Sequence, residues 1–392
     1  MFNELNNRPA DSLLALIKAF QADNRAGKID LGVGVYRDAT GRTPVMHAVK
    51  AAERFLLENQ ESKKYLGPEG DLEFVRLLEP IIFGASPDFA NRLVGIQTPG
   101  GSGALRLGAE LIQTANPSAT VLLGTPSWPN HAPIFGSARL QVKEYAFVDL
   151  ASQQVKFESV IAALSSVGEG DVVLLHGCCH NPTGIDFTME QWREITDLLV
   201  AHRLVPFIDL AYQGLGDGLE QDAAPTRVIL DAVDEALIAY SCDKNFGLYR
   251  ERVGALYVMT RNGDDLRKAE SNMAALARVN WSMPPDHGAA IVRTILESPE
   301  MTTMWRAELE EMCLRVNGNR AALATASADL AFISRQRGLF SNLSMSKETA
   351  AALRARHGIY MADSGRMNLA GMQPADAGAI VAALRAEGCL RS

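Results

Sequence analysis

Short apolar runs alternate with longer helical patterns between about residues 100 and 300, and this alternation constrains the fold more than any other feature. The runs are TVLLG (120–124), DVVLLHG (171–177), RLVPFIDL (203–210), EALIAYSC (235–242) and GALYVMT (254–260). Strands buried on both faces of a parallel sheet read as continuous apolar runs, and helices connect them. The pattern therefore predicts crossover units and an α/β fold with a largely parallel sheet flanked by helices.

The length of the chain predicts a second, smaller domain. A chain of 392 residues is too long for one ordinary hydrophobic core. After a long helical pattern that ends near residue 326, the sequence changes to mixed strand and helix signals. We predict an N-terminal arm and first part of a small α+β domain in residues 1–45, a large domain in 46–310, and the remainder of the small domain in 311–392.

Composition and charge exclude several classes of function. The chain is 47% apolar and 21% charged with a net charge of -8, which argues against a broad basic surface for nucleic acid or anionic lipid. No apolar run approaches the ~20 residues of a membrane span. The five cysteines are an odd number without C-x-x-C spacing, which predicts a reducing compartment, the cytoplasm, and no metal site. Small molecules are the expected partners.

Each of four apolar runs is followed by a loop rich in polar or aromatic residues. TPSWPNH follows the first run, CCHNPTG the second, AYQG the third and DKNFG the fourth. In open α/β sheets, ligands bind at the carboxyl ends of the strands. We therefore expect these loops to form one active site.

Lys244 lies among residues that suit a phosphate ester. Ser241 precedes it, Arg252 follows it, and a glycine-rich turn before a predicted helix offers backbone N–H groups at residues 100–103. An amine beside an anion site suits a phosphorylated aldehyde. An ordinary turn with a serine cap would also explain the glycine-rich turn.

Three further polar residues match the handles of pyridoxal phosphate. Asp209 ends a buried strand, where a carboxylate is costly without a partner and could hold a pyridine nitrogen protonated. Tyr212 and Asn181 could bind the ring oxygen. A helix cap or a structural salt bridge is the alternative role for Asp209.

The sequence resembles the aspartate and aromatic amino acid aminotransferases, a subgroup of the fold-type I enzymes that depend on pyridoxal phosphate. The resemblance runs from the N-terminal helix to the last turn. Nine motifs carry it: KIDLGVGVYRD, KKYLGPEG, PGGSGALR, PSWPNH, HGCCHNPTG, IDLAYQG, KNFGLYRERVG, RVNWSMPPDHG and SGRMNLAGM.

The resemblance implies roles for the residues that match these motifs. Lys244 would bond to the cofactor and move the proton, Asp209 would bind the ring nitrogen with His131 behind it, and Trp128 would stack on the ring. Asn181 and Tyr212 would bind the ring oxygen. The phosphate would be held by Gly101, Ser102, Ser241, Arg252 and, from the other subunit, Tyr65.

The resemblance also implies how substrate is bound. Arg366 would hold the substrate α-carboxylate, with Gly34, Trp128 and Asn181 beside it. Arg278 of the neighbouring subunit would bind the distal carboxylate of aspartate, glutamate or 2-oxoglutarate. The active unit would then be a homodimer with shared active sites.

Two residues depart from the pattern of the resembled family. Asp243 precedes the lysine where serine or another small neutral residue is common. Its carboxylate would either raise the pKa of the imine or point away from the site, and we expect the second. Met283 stands where strict aspartate aminotransferases tend to have asparagine, which favours a pocket that also accepts aromatic rings.

We predict a transaminase for aromatic and dicarboxylic amino acids with 2-oxoglutarate as acceptor. The alternatives are a strict aspartate aminotransferase, a β-lyase or decarboxylase on the same scaffold, and a cofactor-sensing regulatory domain. The last would require a DNA-binding extension, which we do not expect.

Overall fold

The computed structural model of the protein describes residues 1–7 and 12–391. Residues 8–11, part of the predicted N-terminal arm, lie outside the described residues. None of the described helices combines the length and the apolar character that a bilayer span requires. The α-helices are α1 Ser12–Ala22, α2 His47–Asn59, α3 Leu72–Phe83, α4 Gly100–Ala115, α5 His131–Ser137, α6 Phe157–Leu164, α7 Met189–His202, α8 Leu219–Ala232, α9 Gly263–Asn280, α10 Asp286–Glu297, α11 Pro299–Ala326, α12 Lys347–His357 and α13 Ala377–Ala386.

The described strands form one large sheet and three two-stranded ladders. Short 3₁₀ turns occupy Phe2–Glu4, Ala90–Arg92, Ala328–Arg335, Leu369–Gly371 and Pro374–Asp376. The strands are β1 Ile29–Asp30, β2 Leu93–Pro99, β3 Thr120–Thr125, β4 Gln141–Ala146, β5 Val148–Asp149, β6 Gln154–Val155, β7 Val172–His176, β8 Val205–Leu210, β9 Ala236–Ser241, β10 Val253–Met259, β11 Phe340–Asn342, β12 Ile359–Tyr360 and β13 Arg366–Asn368.

The large sheet has the strand order β2–β10–β9–β8–β7–β3–β4. Strands β9, β8, β7, β3 and β4 are parallel, whereas β10 is antiparallel to both of its neighbours. The predicted α/β fold is confirmed, and all five apolar runs are strands of this sheet. The sequence patterns missed β4, because QVKEYA is a largely exposed edge strand without an apolar run.

Helices cover both faces of the sheet. Phe207 and Ile208 are neighbours on β8 and fully buried, yet they belong to different hydrophobic clusters, because successive side chains of a strand point to opposite faces. Leu105 of α4 and Met273 of α9 pack with Phe207 on one face. Helices α3, α7, α8, α10 and α11 pack on the other face. This double covering explains why the strands read as continuous apolar runs.

A third hydrophobic cluster lies outside the large sheet. It joins residues from both ends of the chain, such as Ile29 of β1, Leu353 of α12 and Ile380 of α13. Strand β1 pairs with β12 in parallel, which brings these ends together. Helix α11 crosses residue 310 without a break. The domain boundaries at residues 45 and 310 stay predictions.

Arg320 of α11 is a fully buried cation that organises the segment before β11. Its Nη2 donates to the carbonyl oxygens of Gly338 at 2.5 Å, Phe340 at 2.6 Å and Arg337 at 3.1 Å. Burial lowers the pKa of Arg320 to about 10, which leaves it charged at neutral pH. The side chain therefore fixes the backbone that carries Phe340.

We predict that Arg320→Met lowers the free energy of unfolding by about 2–3 kcal/mol, because two buried carbonyl groups and one partly buried one lose a charged donor. Urea unfolding followed by circular dichroism measures the change. Arg335→Met is the matched control, since Arg335 is exposed and its replacement should change stability by less than about 0.5 kcal/mol. Equal stabilities for the two variants would contradict the role of Arg320.

Candidate active site

The four polar loops meet at one edge of the large sheet, as predicted. Strands β3, β7, β8 and β9 are parallel, so their carboxyl ends lie at the same edge. Trp128 follows β3, Asn181 follows β7, Asp209 lies within β8 and Lys244 follows β9. All four side chains line one pocket.

Most of the predicted site residues line this pocket. Tyr65 is 91% exposed and Arg278 lies on the exposed side of α9, so both are outside the pocket of their own chain. The predicted residues that line it are Gly34, Gly101, Ser102, Trp128, Asn181, Asp209, Tyr212, Ser241, Lys244, Arg252 and Arg366.

Lys244 presents its amine to the middle of the pocket. Its Nζ lies 5.0 Å from the centre of the Tyr212 ring. Burial lowers the pKa of Lys244, although the carboxylates of Asp243 and Asp209 oppose this shift. A larger fraction of the amine is therefore neutral, which is the form that attacks a carbonyl carbon.

Asp209 is buried but has a partner. Its Oδ2 lies 2.9 Å from Nε2 of His131, whose Nδ1 lies 2.8 Å from Oγ of Ser127. Burial alone would raise the pKa of Asp209, but the hydrogen bond with His131 and the electrostatic attraction of His131, His176 and Lys244 outweigh it, and the pKa lies below its ordinary value. The carboxylate is therefore ionised at neutral pH and could bind a protonated ring nitrogen. The predicted place of His131 behind Asp209 is confirmed.

Tyr212 and Asn181 form a polar pair on another wall of the pocket. Nδ2 of Asn181 donates to Oη of Tyr212 at 3.3 Å. Burial raises the pKa of Tyr212, so the phenol keeps its proton at neutral pH. Oδ1 of Asn181 is buried without a hydrogen-bond partner within the described residues. Such an atom calls for a ligand, because unpaired buried polar groups are costly.

Gly101, Ser102, Ser241 and Arg252 form what we call the anion site. Gly100 begins α4 with a φ of +70°, and a Cβ there would lie 2.7 Å from Nη2 of Arg252. Only glycine allows this approach of the helix start to the guanidinium. Backbone N–H groups, hydroxyls and a cation thus converge on the same place, as a phosphate ester requires.

Asp243 also lines the pocket, next to the anion site. Its Oδ2 accepts a hydrogen bond from Nη1 of Arg252, and its Oδ1 accepts one from the Val253 N–H at 3.2 Å. The expectation that Asp243 points away is therefore wrong. Strands β9 and β10 pair antiparallel with Gly254 opposite Ser241, which brings Arg252 back beside residue 243; sequence spacing did not reveal this pairing.

Arg366 lies at the opposite end of the pocket. Its Nη2 donates to the Gly32 carbonyl at 3.2 Å, and its Cζ lies 4.5 Å from the centre of the Phe340 ring. Its Nε is buried and has no hydrogen-bond partner among the described residues. This guanidinium could bind a carboxylate. The sequence patterns missed Phe340, which β11 brings against Gly34, because no motif marks its segment.

Comparison with known proteins gives a consistent result. The model of the family described as aminotransferase class I and II matches residues 26–384. A tyrosine aminotransferase of Rhizobium meliloti (strain 1021) is 51% identical over 97% of this chain and 98% of its own length. An aspartate aminotransferase of Salmonella typhi is 44% identical over 95% and 96%.

A solved structure is similar over almost the whole chain. It is an aromatic-amino-acid aminotransferase from Burkholderia pseudomallei, covalently bound to pyridoxal phosphate. The TM-score is 0.94 at 37% identity, with 99% of both chains covered.

We predict that His131→Phe lowers the free energy of unfolding by about 1–3 kcal/mol, because the buried Asp209 carboxylate loses its hydrogen-bond donor while the ring volume is kept. Urea unfolding at neutral pH measures the effect. His287→Phe is the control, since His287 is exposed. If both variants unfold at the same urea concentration as the wild type, the hydrogen bond of His131 does not stabilise the buried carboxylate of Asp209.

Proposed function

The chain belongs to the family of class I and II aminotransferases, and on this premise we propose that it transfers amino groups from aromatic amino acids, aspartate and glutamate to 2-oxoglutarate by double displacement. It is an aminotransferase, and its cofactor is pyridoxal phosphate. One observation carries the proposal for the site: residues predicted from separate motifs converge around the Lys244 amine.

The pocket residues fit the cofactor. The anion site would hold the phosphate, Asp209 the ring nitrogen, and Tyr212 with Asn181 the ring oxygen. Two observations support this assignment: Oδ1 of Asn181 is buried with no hydrogen-bond partner in the described part of the chain, and Gly100 approaches Arg252 closely. Trp128 lines the same pocket and would cover one face of the ring.

The residues of the chain would share the chemical work with the cofactor. When bound, pyridoxal phosphate supplies an aldehyde that reacts with amines and a ring that withdraws electrons from the substrate α-carbon. The neutral Nζ of Lys244 would accept the proton from the substrate α-carbon and deliver it to the aldehyde carbon of the cofactor. The ionised Asp209 would keep the ring nitrogen protonated. Arg366 would bind the α-carboxylate by two hydrogen bonds and so orient the α C–H bond toward Lys244.

The active unit in this proposal is a homodimer. Tyr65 and Arg278 are exposed and lie outside the pocket of their own chain, although both match motifs of the active site. A second copy of the chain would supply them, with Tyr65 at the phosphate and Arg278 at the distal carboxylate of the substrate. We also propose a cytoplasmic location, which the five free cysteines support.

The substrate range rests on Arg278 and Met283. Arg278 would pair with a distal carboxylate, and its Nη1 donates to Oγ of Ser282 at 2.7 Å. Met283 lies nearby in sequence, and its Sδ accepts from the Leu66 N–H at 3.0 Å. A cation that can turn aside and an adaptable apolar side chain suit both carboxylate and aromatic substrates.

We predict that aspartate and phenylalanine each change the visible absorption of the bound cofactor when mixed singly with the holoenzyme. Each amino acid should yield its 2-oxo acid in amounts equal to the cofactor, because double displacement stops after half a cycle without an acceptor. The product is measured by chromatography. An unchanged spectrum with both amino acids would refute the proposed transamination, and release of alanine or free ammonia from aspartate would indicate a decarboxylase or lyase.

Lys244→Ala should bind the cofactor without a covalent link and lose turnover. Borohydride reduction followed by peptide mass spectrometry should place the cofactor on Lys244 in the wild type and on no residue in the variant. Lys268→Ala is the control, because Lys268 is exposed and pairs with Asp265 on α9. A reduced adduct that persists in Lys244→Ala would remove Lys244 from its role.

Arg278→Ala should lower kcat/KM for aspartate by roughly 100-fold, because a distal carboxylate loses a paired cation. The value for phenylalanine should change by less than about tenfold. Arg267→Ala on the same helix is the control, since Arg267 is exposed and pairs only with Asp264 among the described residues. Equal losses for both substrates would show that Arg278 does not select the distal carboxylate.

A further inference from the structure

A carboxylate lies beside the anion site. Asp243 is 3% exposed, and its Oδ2 accepts from Nη1 of Arg252. Its backbone N–H donates to Oγ of Ser241 at 3.3 Å. Two of the residues expected to hold the cofactor phosphate are therefore already in contact with an aspartate.

Charge makes this arrangement unfavourable for phosphate binding. A phosphate monoester carries about -1.5 to -2 at pH 7. Arg252 is the cation of the anion site, and the other contributions come from the hydroxyls of Ser102 and Ser241 and from the start of α4. An ionised Asp243 would place a second anion on the same guanidinium. Like charges in a buried site favour protonation of one of them.

The groups around Asp243 allow it to take up that proton. Lys244 and Cys242 flank it in the chain, Tyr249 and Arg252 face it from the following loop, and the Val253 N–H donates to it. Gly100 at the start of α4 faces it without a charge. Burial raises the pKa of Asp243, although Lys244 and Arg252 oppose this shift.

Lys244 cannot serve as a lasting partner for Asp243. The Lys244 amine must react with the aldehyde end of the cofactor, and Asp209 on β8 also attracts its charge. With the phosphate present, two anions would lie beside the Arg252 guanidinium. Protonation of Asp243 removes one of these two negative charges.

We propose that Asp243 competes with the cofactor phosphate for Arg252 and binds a proton from solvent when the phosphate enters, so that cofactor binding is linked to pH. The inference rests on the proposed function, because it requires the phosphate at this anion site. Asp243 is thus a positioning residue that acts through Arg252. Since binding takes up a proton, the cofactor is held more weakly as pH rises through the pKa of Asp243.

The test is a titration of the apoprotein with pyridoxal phosphate between pH 6.5 and 9. The dissociation constant is read from the absorption of the bound cofactor for the wild type, Asp243→Asn and Asp243→Ser. The variants should bind more tightly, and the ratio of the wild-type to the variant dissociation constants should grow as pH rises, by about tenfold for each unit by which bound phosphate raises the pKa of Asp243. Asn and Ser differ in size but are both neutral. If both variants bind the cofactor tightly, the effect comes from the lost charge and not from altered packing.

Two controls test whether the pH dependence of binding comes from the phosphate of the cofactor. Pyridoxal lacks the phosphate, so the substitutions should change its pH profile only through the pKa of Lys244, and this change should be smaller than the change seen with pyridoxal phosphate. Asp264→Asn removes an exposed carboxylate that pairs with Arg267 away from the pocket, and it should bind both ligands as the wild type does. If Asp243→Asn and wild type have the same pH profile for pyridoxal phosphate, the competition does not exist.

Calorimetry of the wild type gives a second measurement that does not depend on the folding of a variant. Binding is measured at pH 7.5, where the free phosphate ester is almost wholly a dianion, in buffers of different ionisation enthalpy. Pyridoxal phosphate should take up more protons than pyridoxal. Equal proton uptake overturns the inference, whereas failure of either ligand to link to Lys244 refutes the proposed function instead.

Discussion

Four buried parallel strands end at one edge of the sheet, and the pocket depends on this constraint. Because β3, β7, β8 and β9 share a direction, the residues that follow them converge although they are far apart in sequence. The apolar residues within each strand anchor the geometry through clusters on both faces of the sheet. Polar groups can therefore be concentrated at the edge without loosening the core.

The charged groups at this edge of the sheet have different electrostatic surroundings. In its middle, burial lowers the pKa of Lys244, while His131 keeps the buried Asp209 ionised. The start of α4 and Arg252 favour an anion, and Arg366 has a buried nitrogen that has no hydrogen-bond partner among the described residues. An amine, a buried carboxylate and two guanidinium groups thus lie in one pocket. This combination is what a transaminase site requires.

The position of the Asp243 side chain differs from the prediction made from the sequence motifs. The motifs predict that this carboxylate, next to Lys244 in the chain, points away from the site. The structure instead pairs it with Arg252, because the chain returns antiparallel from β9 to β10 and brings residue 252 opposite residue 243. Phe340 is a similar case, since its carbonyl accepts from Arg320 and its side chain packs in the cluster on one face of the large sheet.

The sequence by itself determined the α/β class, the five strands with apolar runs and the residues of the pocket that lie in distinctive motifs. These features are local, because hydrophobic periodicity and short motifs need only neighbouring residues. Tertiary structure decided the antiparallel direction of β10, the exposed edge strand β4, the partner of Asp243 and the contact of Phe340 with Arg366. Each of these depends on which distant segments pack together, and a pattern read along one segment carries no record of that choice.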